Sequence, residues 1–143
     1  MTSPELENLV AIGKLKKELA GQEEFDGLVR SGKARLADAA KPSLALESRF
    51  DLAYNAAHAL SLAALRWHGY RSDSRYVVFQ ALQHTLGVAP SVWRVLALCH
   101  QRRNDAEYEG HLEVDNQLLT DLLAAAQAVS AATSALGPVP GTK

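Results

Sequence analysis

The chain has 143 residues and a formal net charge of −1, with 48% hydrophobic and 22% charged residues. That balance fits one folded domain and excludes wholesale disorder and a general affinity for polyanions through net charge. Apolar runs such as "LAYNAAHALSLAALRW" are broken by polar residues, here Asn55 and His58, before they reach a membrane span, and Cys99 is the only cysteine, which excludes an intramolecular disulfide.

The start, "MTSPELENLV", lacks the basic segment and apolar core of a secretory signal, so the expected location is the cytoplasm. Ser3-Pro4 reads as an N-cap with proline in the first turn, opening a helix that ends near "LAGQ". Its Leu6, Leu9, Val10, Ile12, Leu15 and Leu19 drift between two faces, as in a helix with neighbours on both sides. A second helix is expected from Glu23 to Ala40, with Gly32 as a weak point and Lys41-Pro42 as its stop. The third, from Leu46 to His68, is apolar nearly all round. Only Asp51, Asn55, His58 and Arg66 form a narrow polar stripe, the pattern of a central helix packed by several others.

"HGYRSDSR" reads as a loop with Gly69 near the helix end. Ser74 caps a fourth helix carrying Tyr76, Phe79, Leu82 and Leu86. After the break at "GVAPS", Ser91 caps a fifth helix from Val92 onward. The last helix runs from about Asp115 to Leu136, with Leu118, Leu122, Ala126, Val129 and Leu136 inward, and Gly137-Pro138 ends it. The expected fold is therefore all-α: an up-and-down bundle of five to six helices in a single domain over 1–136, its core about 20–136, with a flexible tail at 137–143.

Charge is unevenly spread. Residues 51–104 carry six arginines against Asp51 and Asp73, together with four of the five histidines, whereas residues 105–143 carry six acids and only Lys143. The densest stretch is "RRNDAEYEGH", residues 102–111, which closes the apolar fifth helix. With 3.6 residues per turn, Val92, Val95, Leu96 and Cys99 form an inward stripe whose next position is Arg103. Its guanidinium therefore belongs at the core boundary, with Glu107 or Asp51 as candidate partners. Asn104 and Gly110 are both candidate helix stops. On the plain structural reading, Arg102 and Arg103 close a helix and the acids that follow pair with them.

Two stretches, "SRFDLAYNAAHALSLAALR" at 48–66 and "RRNDAEYEG" at 102–110, give the chain a resemblance to the HEPN superfamily (higher eukaryote and prokaryote nucleotide-binding domains), over about residues 20–136. The resemblance implies a HEPN-like helical bundle that forms a homodimer. Many such domains are metal-independent ribonucleases of toxin–antitoxin or other defence systems; others bind or neutralise a nucleotidyltransferase partner. Catalytic members carry an arginine followed, after four to six residues, by histidine, so that arginine stabilises the phosphorane charge while histidine moves the proton. Here Arg103-Asn104 match the Arg-Asn pair, but Tyr108 stands where histidine is expected and His111 lies beyond the family spacing. A phenol is a poor base at neutral pH but a good donor or stacking group.

The candidate catalytic residues are accordingly Arg103, Asn104, Tyr108 and His111. The candidate binding residues are Arg102, Glu107, Asp51, Asn55 and His58. Asp51, Asn55 and His58 form either one wall of a polar pocket or a thin solvated seam. Arg66, Arg71 and Arg75 are either a phosphate-contacting patch or solvated loop arginines, and Trp67, Trp93, Tyr76 and Phe79 read as core or dimer-interface anchors. No zinc-like ligand spacing or phosphate loop appears, so no metal and no cofactor are expected. Three readings remain open. They are a dimeric binding and interaction domain with RNA, nucleotide or a nucleotidyltransferase-type partner; a metal-independent endoribonuclease; and a helical scaffold whose motif only fixes the fold.

Overall fold

The computed structural model describes residues 3–140. Within them the chain folds as an all-α bundle, with helices α1 (Pro4–Ala11), α2 (Gln22–Ala39), α3 (Leu46–Trp67), α4 (Arg75–Gln80), α5 (Leu82–Thr85), α6 (Pro90–Glu109) and α7 (Asn116–Ser134). The expected fourth helix is present but broken at Ala81 into α4 and α5. Two short strands, β1 (Lys16–Lys17) and β2 (Tyr70–Arg71), pair antiparallel with Lys16 opposite Arg71.

Local signals explain most boundaries. Ser3, Ser74 and Asp115 each accept a hydrogen bond from the backbone three residues on, at Leu6, Val77 and Leu118, satisfying one orphan amide of the first turn. Two expectations need correction. The first helix stops at Ala11 and does not reach "LAGQ": Gly13 takes a left-handed φ of +80° and turns the chain into β1, which leaves Leu19 exposed. Ser91 does not cap α6, because Pro90 already occupies the first helical position, where its fixed φ is preorganised, and Ala89 is the cap. α6 then runs through Asn104 and ends at Gly110, whose φ is +80°.

α3 is the axis of the bundle. Its Phe50, Ala53, Tyr54, Ala56, Ala57 and Leu60 join one core with Leu36 of α2, Phe79 of α4, Leu96 and Cys99 of α6 and Leu122 and Val129 of α7. α2 packs antiparallel on α3 at close range: a Cβ added at Gly32 would lie 2.6 Å from Leu60 Cγ and 3.3 Å from the Ala56 carbonyl oxygen. The "weak point" is therefore a contact that only glycine permits. α6 also runs antiparallel to α3, bringing residue 100 beside 54 and 103 beside 51.

Arg66 is the largest buried side chain and closes the far end of α3. It is 1% exposed, yet its guanidinium reaches Glu24 Oε2 at 2.8 Å, the Glu18 carbonyl at 2.7 Å, the Leu19 and Tyr70 carbonyls at 3.1 Å, and the Glu18 carboxylate at 3.1 Å. Every donor it carries into the interior is therefore given an acceptor, which is the condition for burying a charge. A second arginine, Arg71, pairs with the same two glutamates. Arg66 and Arg71 thus tie α3, β2 and the start of α2 together, each guanidinium facing the Glu18 and Glu24 carboxylates. The segment read as a tail also packs back over its first residues. Trp67 Nε1 donates to the Gly137 and Pro138 carbonyls, Gln22 Oε1 accepts from the Val139 amide, and Val139 is 5% exposed. The remainder of that segment, 141–143, lies outside the described residues.

Candidate functional site

The polar stripe of α3 meets α4 and α6 on one face. Tyr54 comes from α3 and is almost fully buried, and its hydroxyl lies 2.8 Å from His100 Nδ1 on α6. The other imidazole nitrogen of His100 lies 3.2 Å from the Asn104 amide, one helical turn on. Both nitrogens of His100 are therefore occupied, and the ring acts as a bridge that orients Tyr54 and Asn104.

Two guanidiniums cover the Tyr54 ring: Arg75 of α4 at 5.4 Å from its centroid and Arg103 of α6 at 5.6 Å. Arg103 Nη1 stands 2.7 Å from Asp51 Oδ1, an ion pair by distance in which no N–H is aligned on the oxygen. Asp51 Oδ1 and Arg103 Nε are buried without a hydrogen bond. Arg75 Nη1 donates to Asn55 Oδ1 at 3.0 Å, and Asn55 Nδ2 donates to the Asp51 carbonyl at 2.9 Å, which fixes the amide with its oxygen toward Arg75. Beneath them Phe79, one turn after Arg75 on the same face of α4, touches His58, Tyr54 and His100 edge-on, with centroids 6.0, 5.9 and 6.4 Å away.

Burial sets the protonation of this face. His58 is pushed down to about 4, first by burial and then by Arg75 and His100. His100 is lowered by burial and by Arg75, and the Tyr54 phenol is raised by burial. At neutral pH the two imidazoles are uncharged, and the positive charge resides on Arg75 and Arg103.

Of the residues singled out from sequence, Asp51, Asn55, His58, Arg103 and Asn104 thus lie on one face. Arg102 points elsewhere and pairs with Glu113 at 2.9 Å. Glu107 and Tyr108 are exposed, Tyr108 at 88%, and neither touches the network. His111 lies just past the helix end and lines an open cleft of about 460 Å³ together with Glu47, Ser48, Asp51 and Arg103. Three members were missed in the sequence or given another role: Tyr54, His100 and Arg75. Tyr54 and His100 had a usable signal, because each lies three residues from a chosen position, Asp51 and Arg103, on the same helix. No protein-family model matches the chain, and neither a curated protein nor a solved structure does.

Proposed function

We propose that this chain is a HEPN-like binding and interaction domain that engages the phosphate groups of RNA or a nucleotide on its α3–α4–α6 face. In this reading it acts in the cytoplasm as a homodimer and as one component of a toxin–antitoxin or related defence pair, with a nucleotidyltransferase-type protein as the expected partner. The observation that carries the reading is the convergence of Arg103-Asn104 with Tyr54, His100 and Arg75, which gathers two guanidiniums and neutral hydrogen-bonding groups on one solvent-accessible face. Phosphate recognition uses such groups, since guanidinium forks match phosphate oxygens and neutral donors complete the shell. Beyond them Tyr108 offers a bare ring on which a base can stack. Tyr76 and Leu98, exposed apolar side chains on α4 and α6, are candidate contacts for a second copy. No helix among the described residues is long and apolar enough to cross a membrane.

The test is fluorescence anisotropy with short single-stranded RNA, across salt concentrations, for the wild type and a folded variant that carries both Arg75→Ala and Arg103→Ala. Binding that weakens with salt and falls roughly tenfold or more in the variant supports the reading; equal binding by both proteins refutes it. Sedimentation equilibrium on the same samples tests the dimer.

A ribonuclease reading has one specific support: His111 and Arg103 line the same cleft although the sequence spacing separates them. Cleavage of RNA in EDTA, lost in both Arg103→Ala and His111→Ala, is the outcome that reading requires.

A further inference from the structure

Arg75 differs from the other arginines of this region. Arg66, Arg71, Arg102 and Arg103 each face a carboxylate within 3.1 Å. Among the described residues no carboxylate pairs with Arg75; its side-chain acceptor is the neutral Asn55 oxygen at 3.0 Å. It is partly buried, with its guanidinium over the Tyr54 ring. Desolvating a guanidinium without a counter-charge is costly, and an anion recovers that cost.

The surroundings are arranged to receive one. Asn55 is held by the Asp51 carbonyl so that its oxygen fixes one edge of the Arg75 fork. His58, one turn after Asn55 on α3, rests edge-on against Phe79, is partly exposed, and makes no hydrogen bond among the described residues. His100 cannot serve in the same way, because Tyr54 and Asn104 occupy both its nitrogens. Arg103 already faces the Asp51 carboxylate at 2.7 Å.

We propose that Arg75 and His58 form the phosphate-oxyanion site of this face, with Asn55 orienting Arg75 and Arg103 held back as a structural partner of Asp51. The assignment rests on reading the α3–α4–α6 face as the ligand-binding one. It moves the anion contact from the arginine of the helix-closing motif to one outside it. The ligand is a phosphate group, as a free or terminal phosphate or as a diester of an RNA backbone. Several acceptor oxygens are needed to satisfy the fork and the imidazole together, and phosphate supplies them.

Binding also couples to a proton. The titratable and charged groups that act on His58 are Arg75 from α4 and His100 from α6, the latter itself lowered by burial and by Arg75. Burial, and after it the Arg75 charge, keep His58 uncharged, with a pKa of about 4. An oxyanion between the imidazole and Arg75 favours the charged ring and draws a proton onto it.

The experiment follows the His58 Cε1–Hε1 signal by NMR across pH, with inorganic phosphate as the probe and chloride as the reference. In the wild type, phosphate raises the His58 midpoint by about one unit or more, saturably. In Arg75→Gln the midpoint rises without phosphate, because a neighbouring cation is gone, and added phosphate no longer moves it. No phosphate-dependent shift in the wild type, or the same shift in Arg75→Gln, overturns the assignment. If Arg75→Gln does not fold, Arg75→Lys serves, with a reduced shift expected because the ammonium lacks the fork. Short single-stranded RNA then distinguishes the sources and the two readings. Roughly tenfold weaker RNA binding in Arg75→Gln assigns the diester. A phosphate shift without any RNA binding supports this site as one for free or terminal phosphate while refuting the RNA reading.

Discussion

The Tyr54 hydroxyl and His100 Nδ1 meet at 2.8 Å, forty-six residues apart in the chain, and that contact locks α6 onto the central helix beside the candidate site. Because Asn104 holds the other ring nitrogen, the imidazole has a single rotational setting, and through it α3 determines where the Arg103-Asn104 pair stands. Tyr54→Phe keeps the ring under both guanidiniums and removes only the hydroxyl. The expected cost is about 1–2 kcal/mol, since His100 loses a partner in a partly buried position. For a chain of this size that lowers Tm by about 2–8 °C, measurable by calorimetry. An unchanged Tm, with unchanged His100 NMR signals, would show that the bond holds nothing in place.

Arg66 carries a different kind of weight. Replacing it with glutamine strands the Glu18, Leu19 and Tyr70 carbonyls and leaves Glu24 without its main partner. Breaking a buried, fully bonded charge cluster from one side costs about 3–5 kcal/mol. Arg66→Lys recovers little of it, because an ammonium cannot reach several acceptors in one plane. Urea unfolding of both variants decides the matter; a lysine variant as stable as the wild type would mean that charge alone suffices.

The helical pattern was readable because apolar spacing reports burial directly: the α3 stripes from Phe50 to Leu65 are the core, and Arg103 falls on the α6 stripe after Cys99. What the pattern hid came from chain segments without periodicity. The turn at Gly13 and the ribbon pairing Lys16 with Arg71 depend on a positive φ and on a partner fifty-five residues away. The sequence likewise shows Arg66 as one of four polar residues on a stripe, and nothing local says that it is the one enclosed by backbone carbonyls. Of the candidate site, the positions on α3 and at 103–104 were legible as helix faces. Tyr54 and His100 carried only the signal of their spacing from Asp51 and Arg103, which a tyrosine on an apolar face, equally readable as core, does not make decisive.

Gly32→Ala sets two effects of opposite sign against each other. Alanine gains up to about 1 kcal/mol of helix propensity over glycine. Its Cβ, however, would sit 2.6 Å from Leu60 Cγ and 2.9 Å from Leu60 Cδ2, with the Ala56 carbonyl behind at 3.3 Å. Overpacking of this kind costs about 1–3 kcal/mol, so the variant is expected to be less stable, not more. A rise in the urea midpoint would show that Leu60 has room to move aside.

Tyr108→Ala separates fold from binding. At 88% exposure the ring contributes nothing to the core, and stability should stay within about 0.5 kcal/mol of wild type. RNA affinity should fall if the ring stacks on a base, by an amount on the order of 1–3 kcal/mol. Anisotropy and thermal unfolding on the same preparation test both halves, and a large fall in Tm would contradict the exposed placement.

Acid should weaken the fold before its carboxylates titrate. His58, His68 and His100 all have folded-state pKa values below the ordinary 6.5, chiefly through burial, with His58 at about 4. The folded state therefore binds fewer protons than the unfolded chain between about pH 6.5 and 4, and stability must rise with pH in that window. Above it the imidazoles are neutral in both states and the full stability is present; as pH falls through it, the unfolded chain gains protons that the folded one refuses. For His58 the loss is on the order of 2 kcal/mol, allowing for its partial exposure. Glu7, Glu18 and Glu24, whose pKa values are lowered by bonds to Tyr70, Arg71 and Arg66, add their own loss only below about 4.5. Urea midpoints measured from pH 7 to 4.5 should decline, and His58→Gln should flatten that decline while leaving the carboxylate region unchanged. A variant with the wild-type slope would mean that His58 takes up its proton in the folded state as readily as in the unfolded one, and that the charge of Arg75 does not reach it.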